Sequence, residues 1–237
     1  MNEFFKSIPL KFNAKDQSVI EHALEFARKA HIGQKRKSGE DFVHHPMAAA
    51  SILGQIFPDT ATIIATILHD ITEDTETSHE DIQEEFGKEI AELVDGVTKL
   101  GKVRLLNSKD EYYVENLRKM FIATSRDVRV MLIKLSDRLH NMRTIDHLPK
   151  EKQLKIATET MEMYAPIAGR LGIGSWKDEL EDLSFKIVDP ENYKKTEQLL
   201  ETELQKREKN IKEMQKELSG ILKLEGIKFQ DITGRTK

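Results

Sequence analysis

The sequence predicts an all-α fold, and three observations support that prediction. Apolar residues recur at three- and four-residue intervals along most of the chain, which is the spacing of one helix face. Residues that cap helices precede several of these segments. The alternating stretch 227–233 resembles a single edge strand, which has no sheet to join. Because 33% of the residues are charged, 38% are hydrophobic and proline is sparse, we expect a soluble, folded helical protein with at most one short terminal strand.

Helix signals in the first half of the chain are an N-cap at Asn13, a proline suited to the first helical position at Pro46, and new caps at Asp59 and Ser78. The Pro46 signal places His45 at an N-cap. The predicted helices run to about residue 31, over 46–56, through the apolar run 63–68 into His69-Asp70, and over 79–86 and 88–97.

In the second half, residues 99–109 have weak periodicity and are predicted to form a mobile connection before a helix over 111–124. The apolar run 128–135 would also suit a buried strand, but a helix is preferred because Asp137, Asn141 and Thr144 then share one face. Further helices are predicted over 150–168, over 176–187, and from Pro190 to about residue 220 with charges above an apolar face. We expect a main domain over residues 1–190 and an appendage over 191–237.

Composition narrows the classes of function. The net charge of -4 gives no general attraction for nucleic acid or for an anionic membrane, and no apolar run approaches the ~18 residues of a membrane span. The chain has no cysteine, so disulfides and thiolate metal sites are excluded and any metal must be held by His, Asp or Glu. Residues 1–10 lack the apolar core of a signal peptide, so the cytoplasm is the expected compartment and small molecules are the expected partners.

A polar patch follows the apolar run 63–68. It consists of two adjacent pairs, His69-Asp70 and Glu73-Asp74. On one continuous helix, His69 would lie over Glu73 and Asp70 over Asp74. Three clustered carboxylates repel one another unless a cation neutralises them, and a metal ion would serve. The alternative is a solvated helix face, but such a face would not normally begin so abruptly after an apolar run.

Further polar residues can join this patch to form a metal site. The candidate ligands lie on three separate helices and are His45, His69, Asp70 and Asp137, although helix period alone does not decide between His44 and His45. Two imidazoles and two carboxylates suit Mn²⁺, Fe²⁺ or Zn²⁺ better than Ca²⁺. Glu73 and Asp74 would then be left to take a proton from a water molecule or to orient it.

The basic loop 34–40 lies between the first two helices. Its three consecutive cations are either ordinary solvent-exposed side chains or residues at the entrance of a site for an anionic substrate. In the second case Arg36 is free to stack on a base. A substrate-binding loop beside the metal site would indicate metal-assisted hydrolysis of a phosphoester.

The motifs occur in a recognisable order: His45-Pro46, His69-Asp70, Glu73-Asp74 and the segment 137–144. With the flanking segments 34–39, 92–100 and 164–166, this order resembles the HD-domain hydrolase of the Rel/SpoT alarmone enzymes over about residues 20–190. The resemblance implies an all-helical HD fold. It also implies Mn²⁺-dependent removal of the 3′-pyrophosphate from ppGpp or pppGpp, which yields GDP or GTP and pyrophosphate.

The resemblance also implies roles for single residues. The metal ligands would be His45, His69, Asp70 and Asp137; Glu73 and Asp74 would activate or position the water; Arg36, Lys37, Ser38, Asn141 and Thr144 would bind the nucleotide. The register of Pro46 selects His45 rather than His44. Two departures from the family are Phe42, where Tyr is usual, and Gly169, where His is common. They affect nucleotide affinity and helix packing, respectively.

Residues 226–237 resemble the start of the family's pyrophosphokinase domain, so we expect no alarmone synthesis by this chain. The synthetase and C-terminal regulatory domains are expected partners if the chain is part of a longer one. Two alternatives are an HD-superfamily phosphohydrolase for another nucleotide and a helical regulatory module with a decayed site. The loop 36–39 and the segment 137–144 argue against the first alternative, and the intact ligand set argues against the second.

Overall fold

The computed structural model describes residues 2–8, 12–101, 127–227 and 232. Over these ranges all regular structure is helical, apart from one isolated bridge between Lys35 and Asp41, which confirms the predicted all-α class. The predicted helix over 111–124 and most of the predicted connection 99–109 lie outside the described residues. So does the predicted strand 227–233, except for Ile227 and Ile232. Among the helices that are described, none is both long enough and apolar enough to cross a membrane.

Seven helices precede residue 102. They are α1 (Asn2–Ser7), α2 (Ala14–Ala30), α3 (His44–Gly54), α4 (Thr60–Ile67), α5 (Ile71–Asp74), α6 (His79–Phe86) and α7 (Lys88–Gly101). Their starts follow the predicted caps, because Asn13, Asp59 and Ser78 each accept a hydrogen bond from a backbone N–H of the first turn. Helix α3 begins at His44 rather than at Pro46, so His45 lies in the first turn and not at the cap.

The helices after residue 126 are α8 (Val128–Arg143), α9 (Lys150–Glu159), α10 (Ala165–Arg170), α11 (Gly174–Val188) and α12 (Pro190–Leu224). The run 128–135 is helical, as predicted. A 3₁₀ turn over Ile145–His147 follows α8, and a π-helical turn over Thr160–Tyr164 joins α9 to α10, where one uninterrupted α-helix was predicted.

The core brings three distant parts of the chain together. Helix α3 packs against α8 and α4, and α4 packs against α2 and α7. The buried faces of these helices carry large aliphatic side chains, including Leu24, Leu53, Ile64 and Ile133. Burial of such side chains stabilises the fold by about 1.5–3 kcal/mol each, so this packing fixes the first turn of α3 and the end of α4 beside the middle of α8.

The structure corrects the prediction of one continuous helix through the polar patch. Helix α4 ends at Ile67, and α5 begins only at Ile71. The break has a local cause, because Nδ1 of His69 donates to the carbonyl oxygen of Thr66 over 2.8 Å. In a continuous helix that carbonyl would accept from the N–H of Asp70. His69 and Asp70 therefore lie in the turn between two helices. Asp70 is still one helical turn from Asp74, whose N–H donates to the Asp70 carbonyl oxygen over 3.0 Å.

The chain divides into two compact units, Met1–Ser184 and Phe185–Lys237. In the second unit, α12 continues to Leu224, beyond the predicted end near residue 220. Its charges were predicted to cover an apolar face, but Leu199 and Met214 are 70% and 67% exposed.

In the first unit, the nearest atoms to a side chain at Gly169 would be those of the flexible Lys177, whose Cδ lies 2.9 Å from the Cβ position. The lysine side chain therefore fills the space beside this glycine and would have to shift for a larger residue.

Candidate active site

Four predicted metal ligands converge in the first unit. Nε2 of His45 lies 3.1 Å from Oδ1 of Asp137 and 3.5 Å from Oδ2 of Asp70. Nε2 of His69 lies 3.0 Å from Oδ1 of Asp70 and 3.8 Å from Oδ1 of Asp137. One ligand atom from each of His45, His69 and Asp137 lies within 4.8 Å of the others, a spacing that allows all three to bind one ion.

Burial of the four side chains is uneven. The side chains of His45, His69 and Asp137 are 3%, 1% and 6% exposed, whereas that of Asp70 is 23% exposed. Asp70 is therefore the most exposed member of the group.

The environment of His69 tests whether a metal fits. Nδ1 must donate to the Thr66 carbonyl, because a carbonyl oxygen can only accept. A neutral ring then directs the lone pair of Nε2 toward the carboxylates. This nitrogen is buried and has no hydrogen-bond partner among the described residues, although Asp70 is within ion-pair distance. A proton or a metal ion between this lone pair and the carboxylates stabilises the arrangement, and the mixed nitrogen and oxygen donors suit a divalent first-row metal.

Electrostatics at the site also favours a cation. Burial alone would lower the pKa of His69, but the charges and hydrogen bonds of Asp70 and Asp137 outweigh burial and raise it to about 10. Burial would raise the pKa of Asp137, but the Lys134 ammonium and the two histidines hold it well below its ordinary value. Burial would likewise raise the pKa of Asp70, but the charge and hydrogen bond of His69 lower it. Both aspartates therefore remain anionic at neutral pH, as metal ligands must be.

Two residues that sequence analysis did not identify form hydrogen bonds with the candidate ligands Asp137 and His45. Nζ of Lys134 donates to Oδ2 of Asp137 over 2.8 Å, and the Nδ1 atoms of His140 and His45 are 2.7 Å apart. Burial and the charges of His45 and Arg36 lower the pKa of His140 to about 4, so its ring is neutral. Both residues lie three positions from Asp137 on α8, and this helical spacing was the available signal.

The pair Glu73 and Asp74 lies on α5, directly after the ligand turn. Both side chains are exposed. Partial desolvation and the charge of Asp70 raise the pKa of Asp74, which makes this carboxylate a better proton acceptor than an isolated one. Nε2 of Gln34 donates to the backbone oxygen of Asp74 over 2.7 Å and so connects α5 to the basic loop.

A cleft of about 510 Å³ adjoins the metal ligand Asp137. All five predicted nucleotide-binding residues line it: Arg36, Lys37, Ser38, Asn141 and Thr144. The basic loop forms one wall through a tight turn, in which the N–H of Gly39 donates to the Arg36 carbonyl over 2.9 Å. Gly39 has a φ of +89°, which favours glycine. The opposite wall belongs to α8, so predicted nucleotide-binding residues and a predicted metal ligand lie on one helix.

The inner wall of the cleft carries a charged pair that sequence analysis also missed. Nη2 of Arg138 donates to Oε2 of Glu159 over 2.9 Å, and the guanidinium lies 4.1 Å from the centre of the Tyr164 ring. The π-helical turn presents Tyr164 to this guanidinium; such turns frequently occur at functional sites. A second cavity, of about 580 Å³ beside Phe57 and Leu171, contains none of the predicted site residues.

Comparisons with known proteins identify the family of the chain. The family model described as HD domain matches residues 23–174. A Myxococcus xanthus protein named GTP pyrophosphokinase is 46% identical over 94% of this chain and 30% of its own length. A guanosine-3′,5′-bis(diphosphate) 3′-pyrophosphohydrolase from Aquifex aeolicus is 50% identical over 74% of this chain and 25% of its own length. The bifunctional (p)ppGpp synthase/hydrolase SpoT of Escherichia coli K12 is 43% identical over 92% of this chain and 31% of its own length.

A solved structure whose description names a metazoan ortholog of SpoT that hydrolyses ppGpp matches with a TM-score of 0.47 and 23% identity, over 74% of this chain and 88% of that one. The chain spans only about 30% of the length of most of the curated relatives cited. The resemblance to the Rel/SpoT enzymes is confirmed by these relatives. Because the family model covers residues 23–174 of 237, the chain belongs to the HD domain family.

Proposed function

We propose that the chain is a metal-dependent hydrolase that removes the 3′-pyrophosphate from ppGpp or pppGpp and releases GDP or GTP and pyrophosphate. One observation carries the proposal. The buried His/His/Asp group lies at the wall of a cleft lined by cations, and Asp137 belongs to both. Several relatives named as ppGpp 3′-pyrophosphohydrolases support this substrate.

In this proposal His45, His69, Asp70 and Asp137 hold the ion, which we take to be Mn²⁺. Mn²⁺ accepts both imidazole nitrogen and carboxylate oxygen, whereas Mg²⁺ favours oxygen and retains its waters. When bound, such an ion acts as a Lewis acid toward water and phosphoryl oxygen.

Glu73 and Asp74 act on the water. Asp74, whose pKa is raised, accepts a proton from the attacking water, and Glu73 helps to orient that water. Attack at phosphorus breaks the bond to the ribose 3′ oxygen, which takes up a proton and becomes a hydroxyl group. The water oxygen ends in the released pyrophosphate, so the reaction is a balanced hydrolysis.

Nucleotide binding is assigned to both walls of the cleft. Arg36 stacks on guanine, because its planar guanidinium suits a base face. Lys37 and Ser38 contact the nucleotide from the loop, and Asn141 and Thr144 contact the nucleoside from α8. This local concentration of cations offers phosphate an attractive surface on a chain whose net charge is -4.

We extend the proposal to domains and compartment. Residues 1–190 form the hydrolase domain, and residues 191–237 form a charged helix and the start of a synthetase domain, without synthetase activity of their own. The remaining domains of the longer relatives would be its partners, small alarmones its substrates, and the cytoplasm its compartment. The proposal includes no nucleic-acid or membrane partner.

The test incubates the purified chain with ppGpp, pppGpp or GTP, in Mn²⁺, in Mg²⁺ or with a chelator, and resolves the products by anion exchange. We expect pyrophosphate from both alarmones with Mn²⁺, and none with the chelator or from GTP. Asp70→Ala and Asp137→Ala should abolish release, whereas the exposed Asp182→Ala should not. Hydrolysis of GTP alone would favour a phosphohydrolase for another nucleotide. No pyrophosphate from any substrate would favour the regulatory module.

A further inference from the structure

The two nitrogens of His45 have different neighbours. Nε2 faces Oδ1 of Asp137 and Oδ2 of Asp70, at 3.1 and 3.5 Å. Nδ1 lies 2.7 Å from Nδ1 of His140, and the two rings are tilted at 45° with centroids 4.8 Å apart. His45 and His140 are 95 positions apart in sequence. Their contact is therefore a product of the packing of α3 on α8.

The hydrogen bond between these rings has one possible direction once His45 binds a metal. A histidine that binds through Nε2 is neutral and carries its only ring proton on Nδ1. That proton can serve the 2.7 Å contact only if Nδ1 of His140 is the acceptor. His140 must then carry its own proton on Nε2. Binding of an ion at Nε2 of His45 thus fixes the proton of His45 on Nδ1 and the proton of His140 on Nε2.

Metal-binding histidines usually donate the second ring N–H to a carboxylate, a carbonyl or water, which fixes the ring orientation and the tautomer. His69 follows this pattern through the Thr66 carbonyl. For His45, the group beside the second ring nitrogen is the imidazole of His140. A neutral imidazole can accept one hydrogen bond at this nitrogen without adding negative charge beside the two aspartates.

We propose that His140 is a positioning residue for the metal: it accepts the Nδ1 proton of His45 and holds that ring with Nε2 toward the ion. This inference rests on the proposed metal site. Helix α8 then contributes a ligand, Asp137, and the support of a second ligand from α3. Loss of the acceptor should weaken metal binding by about 10–100-fold, the range typical of such outer partners.

Three variants of the whole chain test the acceptor. His140→Leu removes it, and His140→Asn keeps a carbonyl oxygen near the position of Nδ1. His22→Leu is the matched control, because His22 is half-exposed and contacts Glu85 and Phe86 rather than any proposed site residue. The Kd for Mn²⁺ is measured from the electron paramagnetic resonance signal of the free ion. We expect weaker binding in His140→Leu by about 10–100-fold, a smaller loss in His140→Asn, and no change in the control.

A second readout keeps the inference testable if His140→Leu does not fold. In the Zn²⁺-loaded wild type labelled with ¹⁵N-histidine, we expect a nitrogen–nitrogen coupling across the hydrogen bond between His45 and His140. A folded His140→Leu with unchanged Kd, or the absence of this coupling, would overturn the inference. Wild type that binds neither Mn²⁺ nor Zn²⁺ would instead show that the proposed metal site itself is wrong.

Discussion

Asn141 donates from Nδ2 to Oδ1 of Asp137 over 2.6 Å. The same carboxylate oxygen faces the Nε2 atoms of both His45 and His69. The amide oxygen of Asn141 in turn accepts a hydrogen bond from Nη2 of Arg36 over 2.7 Å. One side chain on α8 therefore connects the basic loop to the metal ligands, which links the two parts of the proposed reaction.

This connection predicts different kinetic defects for substitutions of Arg36 and of Asn141. Arg36→Ala should chiefly raise KM for ppGpp, because it removes a nucleotide contact. Asn141→Ala should also lower kcat, by about 10–100-fold, because it removes the donor that orients Oδ1 of the proposed ligand Asp137 and leaves only the Lys134 bond to Oδ2. Steady-state kinetics with Mn²⁺ separates the two effects, and Ser38→Ala, at the cleft mouth, should raise KM only modestly. If Asn141→Ala changed KM alone, the bond to Asp137 would have no part in catalysis.

Lys134 and Asp137 form a buried ion pair, with side chains 18% and 6% exposed. Lys134→Met would leave the Asp137 carboxylate buried with one cation fewer. In the presence of a metal chelator, we expect the free energy of unfolding of this variant to be about 3–5 kcal/mol lower than that of the wild type. Urea unfolding measures this loss. The control is Lys177→Met, which breaks an exposed pair of similar length with Glu181 and should shift the unfolding midpoint little. Equal effects of the two variants would contradict the special role of the buried pair.

Much of the fold could be predicted because its signals are local. Asn13, Asp59 and Ser78 cap helices through side-chain contacts within four residues, and such contacts depend little on the remainder of the chain. The break between α4 and α5 could not be predicted from periodicity. A continuous helix has the same apolar pattern, whereas the break depends on local contacts such as the bond from His69 to the Thr66 carbonyl.

The candidate site divides in the same way. The ordered motifs predict candidate ligands and a candidate nucleotide loop, and the structure places these residues near one another. The residues that support the ligands could not be predicted, because the contact between His140 and His45 depends on how α3 packs against α8. Arg138 is a similar case, because its partners Glu159 and Tyr164 come from a later part of the chain. The apolar periodicity of residues 150–168 predicts a plain α-helix and does not reveal the π-helical turn that carries Tyr164.

Mn²⁺ binding should release a proton. In the metal-free protein the carboxylates of Asp70 and Asp137 overcome burial and raise the pKa of His69 from 6.5 to about 10, so the ring is protonated at neutral pH. A metal at Nε2 must displace that proton. Isothermal titration calorimetry in buffers of different ionisation enthalpy should therefore give buffer-dependent heats, and affinity should rise with pH up to about 10. Heats that did not depend on the buffer would contradict this assignment.

The same shift has a consequence for the stability of the metal-free protein. The folded-state pKa of His69 lies above its ordinary value, so protonated His69 stabilises the fold fully below pH 6.5. That contribution is lost as the pH rises through about 10. Thermal unfolding in a chelator should show a corresponding decrease of Tm over this range. Saturating Mn²⁺ should reduce the decrease, because the ion then takes the place of the proton.

Phe42 offers a gain-of-affinity test of the cleft. Its ring stacks on His31 with centroids 4.5 Å apart, lies edge-on to His45 at 6.3 Å, and lines the cleft beside the basic loop. Phe42→Tyr keeps these ring contacts and adds the hydroxyl group that is usual in the Rel/SpoT family. One neutral hydrogen bond to the nucleotide contributes about 0.5–1.5 kcal/mol, so KM for ppGpp should fall by about 2–10-fold while kcat stays the same. Phe42→Leu is the companion variant: loss of the stack on His31 should raise KM. Equal KM values for Phe and Tyr at this position would show that the hydroxyl does not reach the nucleotide.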